Sequence, residues 1–95
     1  MTESPKDWSF TSHVGEDLRE ADLAEADLRR AIFDNADMEG ANLSGANLRD
    51  ASLKRANLMK AALDGADLRG AKMIKARLGF SNLQGARLDG TDMRG

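Results

Sequence analysis

Apolar side chains recur at every fifth position along most of the chain. From Glu16 to Gly95 the five-residue frame runs without an insertion, with Leu, Phe or Met at its central position. Five residues of α-helix advance by about 500°, which would spread these side chains over every side of a helix. An odd step along a strand would alternate them between two faces. The pattern therefore predicts a chain that turns once per repeat and directs every central side chain into one shared interior.

Each repeat also has a small residue two places before the central one. It is Ala in nearly all repeats, the exceptions being Glu16, Ser81 and Thr91. Two residues that are two apart in an extended segment point the same way, so both should face the interior, and the residue between them should face outward. The last two residues of each repeat should form a corner, where glycine permits positive φ. Glycine occupies the second corner position at Gly40, Gly45, Gly65, Gly70, Gly85 and Gly90.

The repeat is clearest over Ala41–Leu68, which reads ANLSG-ANLRD-ASLKR-ANLMK-AALDG-ADL and resembles the A-(D/N)-L-x-x repeat of the pentapeptide-repeat family. The resemblance covers sixteen consecutive repeats. It implies an all-β fold, a right-handed quadrilateral parallel β-helix (a solenoid) of about four coils with four repeats in each. Every central residue would then stack on the one twenty positions later. The expected interior columns are Leu18, Met38, Leu58 and Leu78; Leu23, Leu43, Leu63 and Leu83; Leu28, Leu48, Leu68 and Leu88; and Phe33, Leu53, Met73 and Met93.

The two ends of the chain depart from this frame. Residues 1–15 are predicted to be an N-terminal capping segment in front of a β-helix spanning 16–95. Ser4-Pro5-Lys6-Asp7 has the features of a helix start, and Trp8, Phe10 and Val14 would cover the first coil, since repeat arrays need capped ends. At the other end the chain stops in phase, so either the natural chain continues or two copies meet there. Homodimers joined at C-terminal ends occur among the related proteins, and we expect Phe80 and Met93 to belong to such a contact.

Several classes of function find no support in the composition. The chain has no Cys, one His and no glycine-rich loop before a helix, and a rod filled by its own side chains offers no substrate cavity. We therefore expect no enzyme activity, no cofactor and no metal site. The N-terminus lacks the pattern of a signal peptide, and no stretch approaches the length of a membrane span. A cytoplasmic protein is the expectation.

Charge is distributed unevenly along the chain. The net charge is −2, but residues 1–50 carry 12 acidic and 5 basic side chains, whereas residues 51–95 carry 4 acidic and 9 basic ones. If each of the four repeats in a coil occupies one face, the basic residues form an arginine column on the third face and a cluster on the fourth face. The candidate interaction surface consists of Arg29, Arg49, Arg69, Lys54, Arg55, Lys72 and Lys75.

These features favour a rigid, charged protein–protein interaction module without catalytic activity, whose partner the residues do not name. One alternative comes from the family resemblance, since quinolone-resistance members imitate DNA and bind gyrase. This chain is nearly neutral and has a basic second half, which disfavours that role. Nucleic acid binding is also disfavoured, because the basic face has no aromatic residues on which bases could stack. A third alternative is a repeat domain belonging to a longer protein.

Overall fold

The computed structural model describes residues 5–95. Within this range there is no helix and no strand of several residues; every fifth residue from Asp7 to Asp92 instead forms an isolated parallel β-bridge. Each bridge joins residues twenty positions apart, as in Asp22–Asn42 and Asn42–Ala62. One coil therefore contains four five-residue repeats, and successive coils stack as the rungs of a parallel β-helix.

Backbone hydrogen bonds connect each repeat to the coil above and to the coil below. The Asn42 N–H donates to the Ala21 carbonyl at 2.9 Å, and the Leu43 N–H donates to the Ala62 carbonyl at 2.7 Å. A third bond runs from the corner, where the Gly45 N–H donates to the Asp64 carbonyl at 2.9 Å. Buried backbone groups need such partners, and this ladder supplies them without long strands.

A tight turn ends every repeat. The Ala21 N–H donates to the Leu18 carbonyl at 3.1 Å, and Glu20, the second corner residue between them, has a φ of 58°. The same position has positive φ in every repeat from Phe10 to Gly95. Positive φ only at the third residue of a four-residue turn fits type II geometry, which favours glycine there. This explains why glycine recurs at the corners.

The interior consists of the predicted columns and the small residues beside them. Central side chains from Leu23 to Met73 are fully buried, and so are the alanines from Ala26 to Ala71. The columns open at the last coil, where Leu78 and Leu83 are only partly buried. Leu88 and Met93 are exposed by 37% and 42%, because no described residue packs beyond them. The predicted core is therefore closed in the middle coils and open at this end.

The prediction of a helical start over Ser4–Asp7 is wrong for its described part, residues 5–7, while Ser4 lies outside the described residues. Asp7 bridges to Asp27 and Ser12 bridges to Ile32, so the β-helix already includes residues that we assigned to a separate segment ending at 15. The Trp8 N–H donates to the Asp27 carbonyl at 2.9 Å. Ladder bonds of this kind occupy the backbone groups that a helix would need.

The first coil is closed by Trp8 and His13, which occupy central positions of the frame. The His13 ring stacks between Trp8, at 4.3 Å between ring centroids, and Phe33, at 5.2 Å. Its polar atoms have partners, since Nε2 lies 2.8 Å from Thr11 Oγ1 and Nδ1 lies 3.1 Å from Glu16 Oε1. These contacts explain how a histidine can occupy an interior column.

Phe10 and Val14, in contrast, do not cover the first coil as predicted. They occupy corner positions, and their exposed fractions are 69% and 58%. Phe10 is exposed, and the Arg30 guanidinium lies over it, 5.7 Å from its ring centroid. Of the three predicted capping residues, only Trp8 packs against the core.

Candidate interaction surface

The twenty-residue register divides the surface into four faces. The first face contains residues 16–20, 36–40, 56–60 and 76–80, and the second face contains the repeats that follow each of these. The third and fourth faces come next in order, and they also include residues 6–10 and 11–15, respectively. The bridges confirm the grouping of outward residues that the sequence predicted for 16–95. The surface can therefore be described one face at a time.

The arginine column on the third face is largely neutralised by aspartates of the same repeats. Arg29 donates from Nε and Nη2 to the two carboxylate oxygens of Asp27 at 2.8 and 2.7 Å. Arg69 binds Asp67 in the same way at 2.9 and 2.6 Å. Arg49 has Asn47 in its own repeat and lies 3.8 Å from Asp67 in the next coil. Two of the three predicted recognition arginines are thus engaged within the rod in bidentate ion pairs.

These contacts arise because the two outward positions on either side of a central Leu point the same way. The hydrogen bonds from Arg29 lower the pKa of the Asp27 carboxyl from 3.8 to about 2. Arg19 has the same effect on Asp17 across Leu18, and lowers its pKa to about 2. The Asp-Leu-Arg sequence is therefore a local ion-pair motif of this fold.

We expect the Asp17 and Asp27 carboxyls to titrate near pH 2 in the folded protein. A carboxyl whose pKa is lower in the folded state contributes stability that is fully present above its unfolded value, near 3.8, and is lost as the pH falls through about 2. Neither carboxyl takes up a proton between pH 7 and pH 5 in the folded or the unfolded state, so these two pairs should not change the unfolding midpoint over that range. Carboxyl NMR titration checks this result. Arg29→Gln should return Asp27 towards 3.8 and leave Asp17 near 2, and a titration of Asp27 unchanged by Arg29→Gln would contradict the assignment.

The fourth face has a basic patch, which consists of Lys54, Arg55, Lys72 and Lys75. All four side chains are exposed, and none forms an ion pair with any residue in 5–95. Arg55 and Lys75 occupy the same corner in successive coils, and like charges placed opposite each other destabilise a ladder. The stability of the rod therefore does not explain the patch.

Of the three carboxylates near the basic patch, Asp34 and Asp92 have other partners, and Asp50 forms no ion pair with any residue in 5–95. Asp34 accepts hydrogen bonds from the Ser52 hydroxyl at 2.6 Å and from the Lys54 backbone N–H at 3.1 Å. Asp92 is paired with Arg94 at 2.8 Å. A shallow groove of about 560 Å³ runs beside the patch and is lined in part by Lys54 and Lys72 and by the carboxylates of Asp34 and Asp50. The fourth face thus combines a groove with unpaired cationic side chains.

The two residues predicted for self-association lie in different places. Phe80 is 87% exposed at the corner between the first and second faces, whereas Met93 ends an interior column on the fourth face. The structure does not bring them together into one contact. No residue of 5–95 belongs to a cluster of His, Cys, Asp and Glu arranged to hold a metal ion. The same part of the chain contains no helix of the length and apolarity that a membrane span requires.

Comparison with known proteins identifies the repeat. The family model described as pentapeptide repeats matches eight copies over residues 17–50, 36–73 and 61–95. The structure of HetL, a pentapeptide repeat protein involved in heterocyst differentiation regulation from Nostoc sp. strain PCC 7120, is similar with 37% identity and a TM-score of 0.90. That match covers 92% of this chain and 40% of HetL.

Two further structures have the same architecture. Rfr23 from Cyanothece 51142 is 33% identical, with a TM-score of 0.62 and coverage of 97% of this chain and 67% of Rfr23. A pentapeptide repeat protein of the Arabidopsis thaliana thylakoid lumen is 28% identical, with a TM-score of 0.64 and coverage of 90% and 63%, respectively. The chain thus spans less than half the length of HetL and about two thirds of the other two. A search of the curated proteins gives no match. Proteins of this kind form right-handed β-helices, and the chain belongs to the pentapeptide-repeat family.

Proposed function

We propose that this chain is a non-catalytic interaction module, and that the basic patch on the fourth face binds an acidic surface of a partner protein. The observation that carries the proposal is the contrast between two groups of cations on one rod. Arg29 and Arg69 are held in bidentate pairs, whereas the four cations of the basic patch have no carboxylate partner within residues 5–95. Unpaired cations on a rigid surface can form ion pairs with a partner without first breaking internal ones.

The rigidity of the scaffold supports this role. From Lys6 to Gly95 we count about four and a half coils, and the ladder holds each outward position at a fixed height and on a fixed face. A fixed spacing reduces the entropy lost when several side chains bind at once. In the described coils, the outward positions of the fourth face carry no aromatic residue, because His13 and Phe33 point into the interior. This favours an acidic protein over a single-stranded nucleic acid, which would use stacking platforms.

Neutralising the basic patch should weaken binding to an acidic probe. We expect Lys54→Gln/Lys72→Gln/Lys75→Gln to bind a labelled polyglutamate peptide about tenfold more weakly, because three exposed ion pairs at about 0.5 kcal/mol each sum to about that ratio. Fluorescence anisotropy at low salt measures the affinity.

Arg29→Gln/Arg49→Gln/Arg69→Gln is the matched control, since it removes the same charge from paired arginines. Its affinity for the peptide should fall by no more than about threefold, because aspartates already neutralise most of the charge on these arginines. An equal loss in both variants would contradict the assignment to the fourth face. Tighter binding of single-stranded DNA than of the peptide would contradict the proposed class of partner.

The gyrase-directed alternative remains a separate hypothesis with its own test. Imitation of DNA requires an acidic surface along the rod, and here carboxylates such as Asp17, Asp27 and Asp67 are engaged by arginines. We therefore expect no inhibition of gyrase in a supercoiling assay, and inhibition at micromolar protein would favour the alternative. The cytoplasmic location and the self-association through the C-terminal coil both remain predictions.

A further inference from the structure

The first face has opposite charge in its two halves. In the coils that contribute 16–20 and 36–40, its outward residues include Asp17, Glu20, Asp37 and Glu39, with Arg19 as the one cation among the described residues there. Arg19 is already engaged by Asp17 at 2.8 Å and lies 3.8 Å from Asp37. In the coils that contribute 56–60 and 76–80, the charged residues are Lys60 and Arg77, and neither forms an ion pair within residues 5–95.

A groove lies in the acidic half because a corner there has no side chain. Gly40 occupies this corner with a φ of 71°, and a Cβ on it would lie 3.2 Å from Cγ of Glu20. The Glu20 side chain therefore lies across Gly40 and extends towards the next coil. The groove has a volume of about 550 Å³ and is lined by Asp17, Arg19, Glu20, Glu39, Gly40 and Lys60.

The basic half carries the most exposed large apolar side chain among the described residues. Phe80 is 87% exposed although its backbone has a φ of 60°, a conformation that bulky residues seldom adopt. Beside it, Gly79 leaves room for Met59, whose methyl group would lie 3.4 Å from a Cβ on Gly79. Neither folding nor solubility explains an aromatic ring at this corner.

We propose that the first face binds the first face of a second copy of this chain, with the two rods antiparallel. The two-fold axis lies in the interface and is perpendicular to the rods. It pairs the first coil of one copy with the last coil of the other. Each column of outward residues in one copy then faces the same column of the other copy, in reverse order. The column of bridge residues (Asp17, Asp37, Asn57 and Arg77) then places Arg77 opposite Asp17 of the other copy. The Asp17 carboxylate already accepts from Arg19 and has acceptor sites left for Arg77. The column of second corner residues (Glu20, Gly40, Lys60 and Phe80) places Lys60 opposite Gly40 of the other copy. The Glu20 side chain of that copy lies across this corner, so its carboxylate is close to Lys60.

The remaining positions are compatible with this register. Arg19 faces Gly79, Asp37 faces Asn57 and Glu39 faces Met59, so no like charges oppose each other. Phe80 faces Glu20 and is next to Arg19 of the second copy. An arginine over an exposed phenylalanine already occurs within this chain, where Arg30 covers Phe10. Each copy contributes the same groups, so every contact occurs twice, as a two-fold dimer requires.

The size of the face predicts a weak association. Four coils at about 4.8 Å each give a height of roughly 20 Å, and the rod is 26 Å across. Each copy would bury roughly 500 Å², which is below the area of about 800 Å² per partner in typical stable complexes. The dimer should therefore depend on concentration and should weaken as salt screens its ion pairs.

Charge reversal at the predicted contact tests the proposal. Sedimentation velocity from about 10 μM to 1 mM in 50 mM salt should show a monomer–dimer equilibrium that shifts to monomer in 500 mM salt. Arg77→Asp and Asp17→Arg should each raise the dissociation constant at least tenfold. The combined Asp17→Arg/Arg77→Asp variant should restore dimerisation, because it rebuilds both pairs with opposite polarity. Lys72→Glu, at an exposed bridge position of the fourth face, is the control and should leave the equilibrium unchanged.

Other outcomes overturn the proposal. A monomer at all concentrations would do so, as would a combined variant no better than its single variants. Dissociation by Met93→Gln but not by Arg77→Asp would assign the contact to the open end of the rod instead. Thermal melts followed by Trp8 fluorescence should agree within a few degrees for all variants, because the substituted side chains are exposed. This agreement separates loss of the contact from loss of the fold.

Discussion

Leu58→Asp should abolish cooperative folding of the rod. Leu58 is fully buried in the middle of an interior column, with Met38 before it and Leu78 after it. The substitution removes an apolar side chain, at a cost of about 2–5 kcal/mol, and it buries a carboxyl for which the interior offers no charged partner. The combined cost is of the same size as the whole stability of a small domain, about 5–15 kcal/mol. Circular dichroism during urea titration measures the effect.

Ala62→Asp is the matched control for this substitution. Ala62 occupies the outward position between two interior residues, Ala61 and Leu63, and aspartate is found at the equivalent position of many other repeats. We expect its urea midpoint to stay close to that of the parent protein. A cooperative transition with a near-native midpoint for Leu58→Asp would rule out the columnar interior.

Phe33→Ala should destabilise the protein by about 3–5 kcal/mol and should loosen the first coil before the rest. Phe33 is fully buried, and its ring supports His13, which in turn stacks on Trp8. Removing the ring therefore leaves a cavity directly below the residues that close this end. Because Trp8 is the only tryptophan, its fluorescence reports on the first coil while circular dichroism reports on the whole ladder. The two transitions should coincide in the parent protein and separate in the variant.

Phe10→Ala provides the comparison, since it removes the same ring from an exposed corner. The free energy of unfolding of this variant should fall by less than about 1 kcal/mol, which is the scale of an exposed cation–π contact such as that with Arg30. Coincident transitions in Phe33→Ala would contradict the role of Phe33 as the support of the cap.

The sequence was sufficient to predict the middle of the rod. The five-residue period fixes which side chains face inward, and a twenty-residue coil then fixes their neighbours, so the columns from Leu23 to Met73 were correct. The first coil was missed because its central residues are Trp8 and His13, and its small positions hold Lys6 and Thr11. Counting back in fives from Leu18 reaches both central residues. Their inward orientation, however, depends on ladder bonds and on the Thr11 and Glu16 contacts, which no local pattern specifies.

For the candidate surface, we predicted where the arginines lie but not that aspartates neutralise most of them. The sequence placed the arginine column on one face, and it also contained the reason why most of the column is neutralised. In Asp27-Leu28-Arg29 the two charged residues are two positions apart and therefore lie on the same side. The position of the Glu20 side chain across Gly40 was not predictable in this way. It depends on the side-chain rotamer of Glu20, which has room because Gly40 in the next coil has no side chain.

The twenty-residue register has a consequence for how such a surface can change. Five residues are one quarter of a coil, so deleting a single repeat leaves every interior position filled and every corner in place. All outward residues after the deletion, however, move to the neighbouring face. Loss of residues 41–45 would bring the basic patch from the fourth face to the third, below Asp27 and Arg29, with the interior pattern intact. In this architecture the arrangement of surface charge is encoded by the count of repeats as much as by the side chains themselves.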